Sequence, residues 1–61
     1  MAFTFDYGDT VRVKRSAPVQ YRPGEYAAIC GMSEFEGAAV YTIEFGDGSD
    51  TEIPESLIER T

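Results

Sequence analysis

The sequence contains no histidine, the most common general base in enzymes. The side chains that we consider first for chemistry are its eleven acids, its four tyrosines and its single cysteine. Catalysis by Cys30 as a nucleophile needs a neighbouring base, and a disulfide within the chain needs a second cysteine. A zinc site of the usual Cys/His type needs four such ligands, and the chain has one cysteine and no histidine. We therefore expect Cys30 to be a small, buried apolar side chain, and we predict no metal and no cofactor.

The carboxylates around Gly48 have a spacing that first suggests calcium. Asp47, Asp50 and Glu52 do not match the oxygen positions of an EF-hand loop, so a hairpin turn followed by a solvated acidic strand is the better interpretation. Glycosidase chemistry with two carboxylates needs a cleft that raises the pKa of one acid, and a chain of 61 residues rarely builds one. We predict no catalytic residue and a non-enzymatic protein.

The charges are unevenly distributed along the chain. Residues 1–22 carry four basic and two acidic side chains, a formal charge of +2. Residues 23–61 carry one basic and nine acidic side chains, −8, which together give the −6 of the whole chain. Such a chain repels nucleic acid at long range. The acids either keep a small protein in solution or form a face that docks on a basic partner.

Acidic and aromatic residues together are the first candidates for partner binding. Phe35 lies between two glutamates in an expected loop, where an exposed ring indicates a partner site and a buried ring anchors the loop. Tyr21 and Tyr26 flank the Pro23-Gly24 turn. Acids steer a basic partner, and aromatic rings supply buried area. The predicted partner-binding residues are Tyr21, Tyr26, Glu34, Phe35, Glu36, Asp47, Asp50 and Glu52.

A second candidate is a basic patch formed by Arg12, Lys14, Arg15 and Arg22. Cations beside stacking aromatics are the arrangement that holds single-stranded nucleic acid, and Tyr21 and Tyr26 could stand next to these residues. The alternatives are a solvated strand face, or a protein contact in which tyrosine and arginine are the anchors. Because the chain as a whole is acidic, we expect the partner to be another protein and consider nucleic acid unlikely.

Glycine and proline divide the chain into short alternating segments that are typical of strands. Val11 and Val13, for example, point to one face while Arg12 and Lys14 point to the other. The predicted strands are Thr10–Lys14, Tyr26–Cys30, Val40–Phe45, Ser49–Ile53 and Leu57–Glu59. The predicted connections are a loop at Ser16–Tyr21, a polar connection at Ser33–Gly37, a hairpin at Gly46–Gly48 and a 3₁₀ turn at Pro54–Ser56.

These elements predict one all-β domain covering residues 1–61, a small five-stranded barrel with one 3₁₀ turn before the last strand. Closing the sheet on itself would remove exposed strand edges. Phe3 and Phe5 either cap an open end of the barrel or add a further strand. The predicted core consists of Val11, Val13, Ile29, Tyr41, Ile43, Phe45, Ile53 and Leu57.

The order of several short motifs resembles SH3-like barrels of the Tudor/KOW type. These motifs are Tyr7-Gly8-Asp9-x-Val11, Arg22-Pro23-Gly24-Glu25, Tyr41 to Ser49, and Ile53-Pro54-Glu55-Ser56-Leu57. The resemblance covers residues 6–60 and implies an SH3-like fold that works as a binding module. The chain departs from nucleic-acid-binding KOW modules in its acidity, and it lacks the tryptophan of a full methyl-lysine cage.

The strings Tyr41 to Ser49 and Ile53 to Leu57, together with the short acidic chain, also resemble bacterial immunity proteins of polymorphic toxin systems. That resemblance implies neutralisation of a cognate toxin by binding. Three other roles stay open: a nucleic-acid-binding module, an accessory subunit of an enzyme, and a self-associating structural protein.

The expected compartment is the cytoplasm. No run of residues approaches the roughly 18–20 apolar residues of a membrane span. The first residues lack the basic and apolar regions of a secretory signal. A single unpaired cysteine is compatible with a reducing environment.

Overall fold

A computed structural model describes residues 3–61 as one antiparallel sheet of five strands. The strands are β1 (Thr10–Val13), β2 (Tyr26–Phe35), β3 (Ala38–Phe45), β4 (Asp50–Pro54) and β5 (Ile58–Arg60). Two 3₁₀ turns lie at Val19–Tyr21 and Glu55–Leu57, the second of them directly before β5. The strand order is β4-β3-β2-β1-β5. The predicted all-β class, strand number and 3₁₀ turn before the last strand are confirmed.

The sheet curls around its own core. Val11, Ile43 and Ile53 come from three different strands, and each is completely shielded from solvent. No second sheet and no α-helix is present among residues 3–61, so a flat sheet would leave both of its faces in water. Only a strongly curved sheet can therefore bury these side chains. The β4 and β5 strands are not paired with each other in the described chain, so a seam stays open there.

Seven of the eight predicted core residues are buried, and Leu57 is the exception. The 3₁₀ turn includes Leu57, so β5 starts one residue later than predicted and Ile58 points inward opposite Val13. Leu57 is partly buried and packs against the core from outside. With Ile58, the core includes five residues that were not predicted; the other four are Phe5, Ala17, Ala27 and Ala39.

The N-terminal segment caps the core and forms no strand. The Phe5 ring is 5% exposed and packs edge-on against the ring of Tyr41, with 5.5 Å between centroids. Phe3 makes a similar edge-on contact with Tyr41 at 5.9 Å. Arg60 lies over the other side of this cluster, with its guanidinium carbon 5.1 Å from the centroid of the Phe5 ring. Of the two roles expected for Phe3 and Phe5, the cap is the one found.

The β2–β3 hairpin is longer than the sequence predicted. Ser33–Gly37 was expected to be a connection, but β2 continues to Phe35 and pairs with β3 as far as Ala38. The turn has only two residues, Glu36 and Gly37, and both have positive φ angles of 51° and 81°. Positive φ at both central positions defines a type I′ turn, which matches the twist of the flanking strands. The polar segment is thus a strand that is largely exposed to solvent.

Cys30 is exposed and its thiol is free, so the prediction that it is buried is wrong. Its neighbours Ala27 and Ile29 face the core, so alternation along β2 points Cys30 outward. Cys30 also lies at a β-bulge, because the register shifts between Ile29, which faces Ile43, and Gly31, which faces Thr42.

Replacing Glu36 with asparagine should stabilise the protein by up to about 1 kcal/mol, because the left-handed region costs most side chains roughly 1–2 kcal/mol and asparagine less. Asparagine tolerates the left-handed region better than glutamate, and Asn-Gly is the preferred type I′ pair. Thermal unfolding of the variant should show a higher midpoint. Glu34→Asn, two residues away in extended strand, is the matched control and should give no such increase. A lower midpoint for Glu36→Asn would contradict the turn assignment.

Candidate functional site

The side chains that point away from the core form one continuous surface, which we call the outer face. We assign a residue to this face if it follows or precedes a buried residue along its strand, or if its cross-strand partner does so. From one end of the sheet to the other it consists of Glu59, Arg12, Tyr26, Thr10, Ala28, Glu44, Asp50, Cys30, Gly31, Thr42, Glu52, Ser33, Val40, Pro54, Phe35 and Ala38.

The outer face is acidic. Its paired strand residues include four carboxylates and one cation, Arg12, whose guanidinium donates two hydrogen bonds to Glu59 Oε2 at 2.8 and 2.6 Å. The hydrogen bonds and charge of Glu59 raise the pKa of Arg12. The remaining acids, Glu44, Asp50 and Glu52, lie close together on β3 and β4, and none forms an ion pair within residues 3–61. A basic partner would therefore meet three uncompensated charges.

Two large aromatic side chains stand exposed on the same face. Tyr26, at the start of β2, is 58% exposed, and Phe35, at its end, is 66% exposed. Each ring therefore has a large area that contact with a partner could bury. The residues of β2 between them include the small Ala28, Gly31 and Ser33.

A shallow groove of about 490 Å³ lies beside Tyr26. Its lining includes Ala28, Tyr26, Glu44 and the two glycines of the β3–β4 turn, Gly46 and Gly48. The groove is open because the alanine and the glycines have little or no side chain to fill it, and Glu44 gives it a negative charge. The groove can receive a protruding side chain, and a cationic one matches its chemistry.

The predicted basic residues do not form a single patch of free charge. Arg12 is paired with Glu59, and Arg22 lies over the ring of Phe45 with its guanidinium carbon 4.1 Å from the centroid. Arg22 also donates to Glu25 Oε1 at 2.8 Å and to Ser49 Oγ at 2.7 Å. Lys14 and Arg15 form no ion pair within the described residues.

Asp47 belongs to this internal network of Arg22. Its Oδ1 accepts hydrogen bonds from the Ser49 hydroxyl at 2.6 Å and the Ser49 backbone N–H at 3.0 Å, and its Oδ2 lies 3.2 Å from the Arg22 guanidinium. The Ser49 hydrogen bonds first, and Arg22 after them, lower the pKa of Asp47 to about 2. The carboxylate therefore holds the β3–β4 turn against the Pro23-Gly24 turn.

The depressed pKa of Asp47 predicts a loss of stability in acid. Its stabilising contribution is complete above the ordinary value of 3.8 and disappears as the pH falls toward about 2. Asp47→Asn should therefore lower the unfolding midpoint at neutral pH and flatten its dependence on pH in this interval. Asp50→Asn, which removes an exposed acid of β4, is the matched control. Equal pH profiles for Asp47→Asn and the unmodified protein would contradict this role.

The structure distributes the eight predicted binding residues over several places. Tyr26, Phe35, Asp50 and Glu52 share the outer face, whereas Tyr21 is partly buried and packs against the core. Glu34 pairs with Ala39 on the opposite face of the hairpin, Glu36 lies in the turn, and Asp47 is occupied by Ser49 and Arg22.

Glu44 completes the group of unpaired acids on the outer face, and the sequence analysis did not select it as a site residue. The signal was present in the alternation of β3, where Glu44 lies between the buried Ile43 and Phe45 and must point outward. Its partner across the ladder, Asp50, was selected.

A buried hydroxyl connects the N-terminal segment to the second 3₁₀ turn. Tyr41 Oη accepts hydrogen bonds from the N–H groups of Thr4 (3.0 Å) and Phe5 (3.2 Å) and donates one to Glu55 Oε2 (2.6 Å). Burial first, and this carboxylate second, raise the pKa of Tyr41, and the Tyr41 hydrogen bond lowers the pKa of Glu55. Every hydrogen-bonding position of the hydroxyl is used, so the group is a structural anchor.

Within residues 3–61, no three histidine, cysteine or acidic side chains are placed to hold a metal ion, and no helix is long and apolar enough to cross a membrane. No protein-family model, curated protein or solved structure matches the chain. The fold and surface define a small all-β domain with an acidic, aromatic outer face.

Proposed function

We propose that this protein is a non-enzymatic binding module with an SH3-like barrel, and that its outer face docks on a basic surface of another protein. The observation that carries the proposal is that Tyr26 and Phe35 stand exposed on the same face as three unpaired carboxylates. The strand order β4-β3-β2-β1-β5, with a 3₁₀ turn between β4 and β5, supports the SH3-like assignment.

The two kinds of side chain have different tasks in this mechanism. Glu44, Asp50 and Glu52 attract a basic partner over a distance and accelerate encounter. Tyr26 and Phe35 then lose their exposed area in the complex, which supplies most of the binding energy, as aromatic residues do at other interfaces. The groove next to Tyr26 receives a cationic side chain of the partner, with Glu44 as its counter-ion.

The specific role that we propose is immunity: the partner is a toxin, and binding covers a basic surface that the toxin needs. The small size, the acidity and the resemblance of Tyr41 to Ser49 to immunity proteins support this choice. The cytoplasm is the proposed compartment, because an exposed free thiol such as Cys30 persists in a reducing environment. The product of a neighbouring gene is the first partner to test.

The experiment is affinity capture and kinetics with a matched pair of variants. Tyr26→Ser with Phe35→Ser removes the two rings from the outer face, whereas Val19→Ser removes an apolar side chain that is 84% exposed but lies on the first 3₁₀ turn. The partner should be retained by the unmodified protein and by Val19→Ser and lost by the double variant. Its association rate should fall steeply with salt. Retention by the double variant, or an on-rate independent of salt, would refute the proposed surface.

Two alternative functions predict different results in the same set of measurements. A nucleic-acid module would shift short single-stranded oligonucleotides in a gel at low salt, an outcome disfavoured by the pairing of Arg12 and Arg22 with acids. An accessory subunit would be captured with a metabolic enzyme. Either result would replace the immunity role, and a gel shift would also remove the protein-binding proposal.

A further inference from the structure

The second half of β2 is an open edge of the sheet. Pairing of β2 with β1 covers Tyr26–Ala28, and the last backbone hydrogen bonds on this side join Ile29 to Gly8 and Asp9, both at 2.9 Å. Gly31–Phe35 pairs with β3 on the opposite side. Within residues 3–61, no backbone hydrogen bond reaches this segment from the β1 side. The hairpin thus extends beyond the strand that covers its base.

The hairpin geometry identifies the backbone groups that point to the open edge. A two-residue turn makes the closing pair, Phe35 and Ala38, a hydrogen-bonded pair, and such pairs then alternate along an antiparallel ladder. Gly31, Ser33 and Phe35 therefore direct their N–H and C=O groups to β3. Met32 and Glu34 direct theirs away from it, to the same side on which Ile29 bonds Gly8 and Asp9. Two donors and two acceptors are presented in a row.

The side chains beside this edge would suit an added strand that carries both apolar and basic residues. Phe35 is exposed on the outer face, and the Glu34 side chain is exposed on the opposite face. No proline interrupts the segment from Gly31 to Phe35, and Glu34 is its single charge. Edges that must stay unpaired usually carry several charged side chains, proline or a bulge. Here the bulge lies at the base of the open segment, and Glu34 is the one charge along the rest of it.

We infer that an extended segment of the basic partner adds to the sheet as a sixth strand along Met32–Glu34. The inference rests on the proposed function and specifies how the partner is held. The added segment has alternating basic and apolar side chains, the basic ones opposite Glu34 and the apolar ones next to Phe35. A second copy of the chain is the less suitable occupant, because each copy carries a charge of −6 and Glu34 would approach another acidic chain.

Two substitutions at one position test the role of the backbone. Glu34→Ala removes the carboxylate and keeps the outward N–H, whereas Glu34→Pro removes both. Proline is tolerated at this position because the Glu34 N–H is not part of the ladder with β3. The probe is a seven-residue peptide of alternating lysine and valine with blocked ends, and a peptide of the same composition with its lysines and valines in two blocks is the control.

The alternating peptide should bind the unmodified protein more tightly than the blocked-order control. It should bind Glu34→Pro about fivefold more weakly than Glu34→Ala, which corresponds to the loss of one backbone hydrogen bond. Amide hydrogen exchange should be fast at Met32 and Glu34 in the free protein and should slow at both when the peptide is added. Thermal unfolding verifies that both variants are folded.

Three results would overturn the inference: equal affinity for the two peptides, equal affinity of the two Glu34 variants, or amides of Met32 and Glu34 that are already protected in the free protein. Protection that increases with protein concentration would identify a second copy at the edge, and would also overturn it. Loss of the captured partner in the Tyr26→Ser, Phe35→Ser variant together with equal Glu34 variants would leave the proposed function standing. The two failures are thus distinguishable.

Discussion

Tyr41→Phe should lower the free energy of unfolding by about 1–3 kcal/mol, although it removes a single oxygen atom. The substitution leaves the buried N–H of Phe5 without a partner. It also removes one hydrogen bond each from the Thr4 N–H and the Glu55 carboxylate, which stay bonded to each other at 3.3 Å. A domain of this size has a net stability of only about 3–5 kcal/mol. Thermal or urea unfolding should therefore show a large shift of the midpoint.

Two further variants separate the hydroxyl from the ring. Tyr41→Ala also creates a cavity, at a cost of about 3–5 kcal/mol, and should leave the protein largely unfolded at 25 °C. Glu55→Gln removes the charge that the hydroxyl stabilises. In a double-mutant cycle, Tyr41→Phe and Glu55→Gln should be clearly non-additive, because Glu55→Gln weakens the same hydrogen bond, by making its acceptor neutral, that Tyr41→Phe removes. Additive effects would show that the Tyr41–Glu55 contact contributes nothing to stability.

The contribution of the Tyr41–Glu55 hydrogen bond to stability should depend on pH. Because the Tyr41 hydrogen bond lowers the pKa of Glu55, this carboxylate stabilises the fold above its ordinary pKa and loses that contribution as the pH falls. The stability difference between the unmodified protein and Tyr41→Phe should consequently shrink in acid. A difference that grows below pH ~4 would contradict the assignment.

Gly31→Ala should destabilise the protein by about 1–3 kcal/mol, even though it adds only a methyl group to a strand. A Cβ atom at Gly31 would lie 3.0 Å from both the Cβ and the Oγ1 of Thr42, which faces it across the ladder. Because Cβ positions are determined by the backbone, relieving this contact requires a shift of a few tenths of an ångström between β2 and β3 at the bulge. Urea unfolding measures the loss.

The partner position and a distant glycine provide the controls. Thr42→Gly removes the opposing Cβ, so the double variant Gly31→Ala, Thr42→Gly should be more stable than the sum of the single effects implies; Thr42→Ala keeps the Cβ and should not rescue. Gly46→Ala meets nothing within 4 Å and should be nearly neutral. If Gly46→Ala were as destabilising as Gly31→Ala, the steric explanation would be wrong.

Strand alternation and turn residues were predicted correctly where they depend on neighbouring positions in the sequence. Alternation along Val40–Phe45 correctly assigned Tyr41, Ile43 and Phe45 to the core and also points Glu44 outward. The turn at Gly46–Gly48 was also predicted correctly, because Gly48 has a positive φ of 88° that few residues other than glycine adopt. The segment Ser33–Phe35 was misassigned since its polar composition is typical of a loop, and only pairing with β3 makes it a strand.

The sequence by itself determined the all-β class, the number of strands and most of the core, because period-two alternation and turn residues act over a few neighbouring positions. Only the tertiary structure decided that Arg22 and Asp47 neutralise each other, and that Tyr41 binds Glu55 and the N-terminal backbone. These outcomes depend on contacts between residues that are 14 to 37 positions apart. Spacing along the chain does not encode which distant side chains meet; the curl and register of the sheet do.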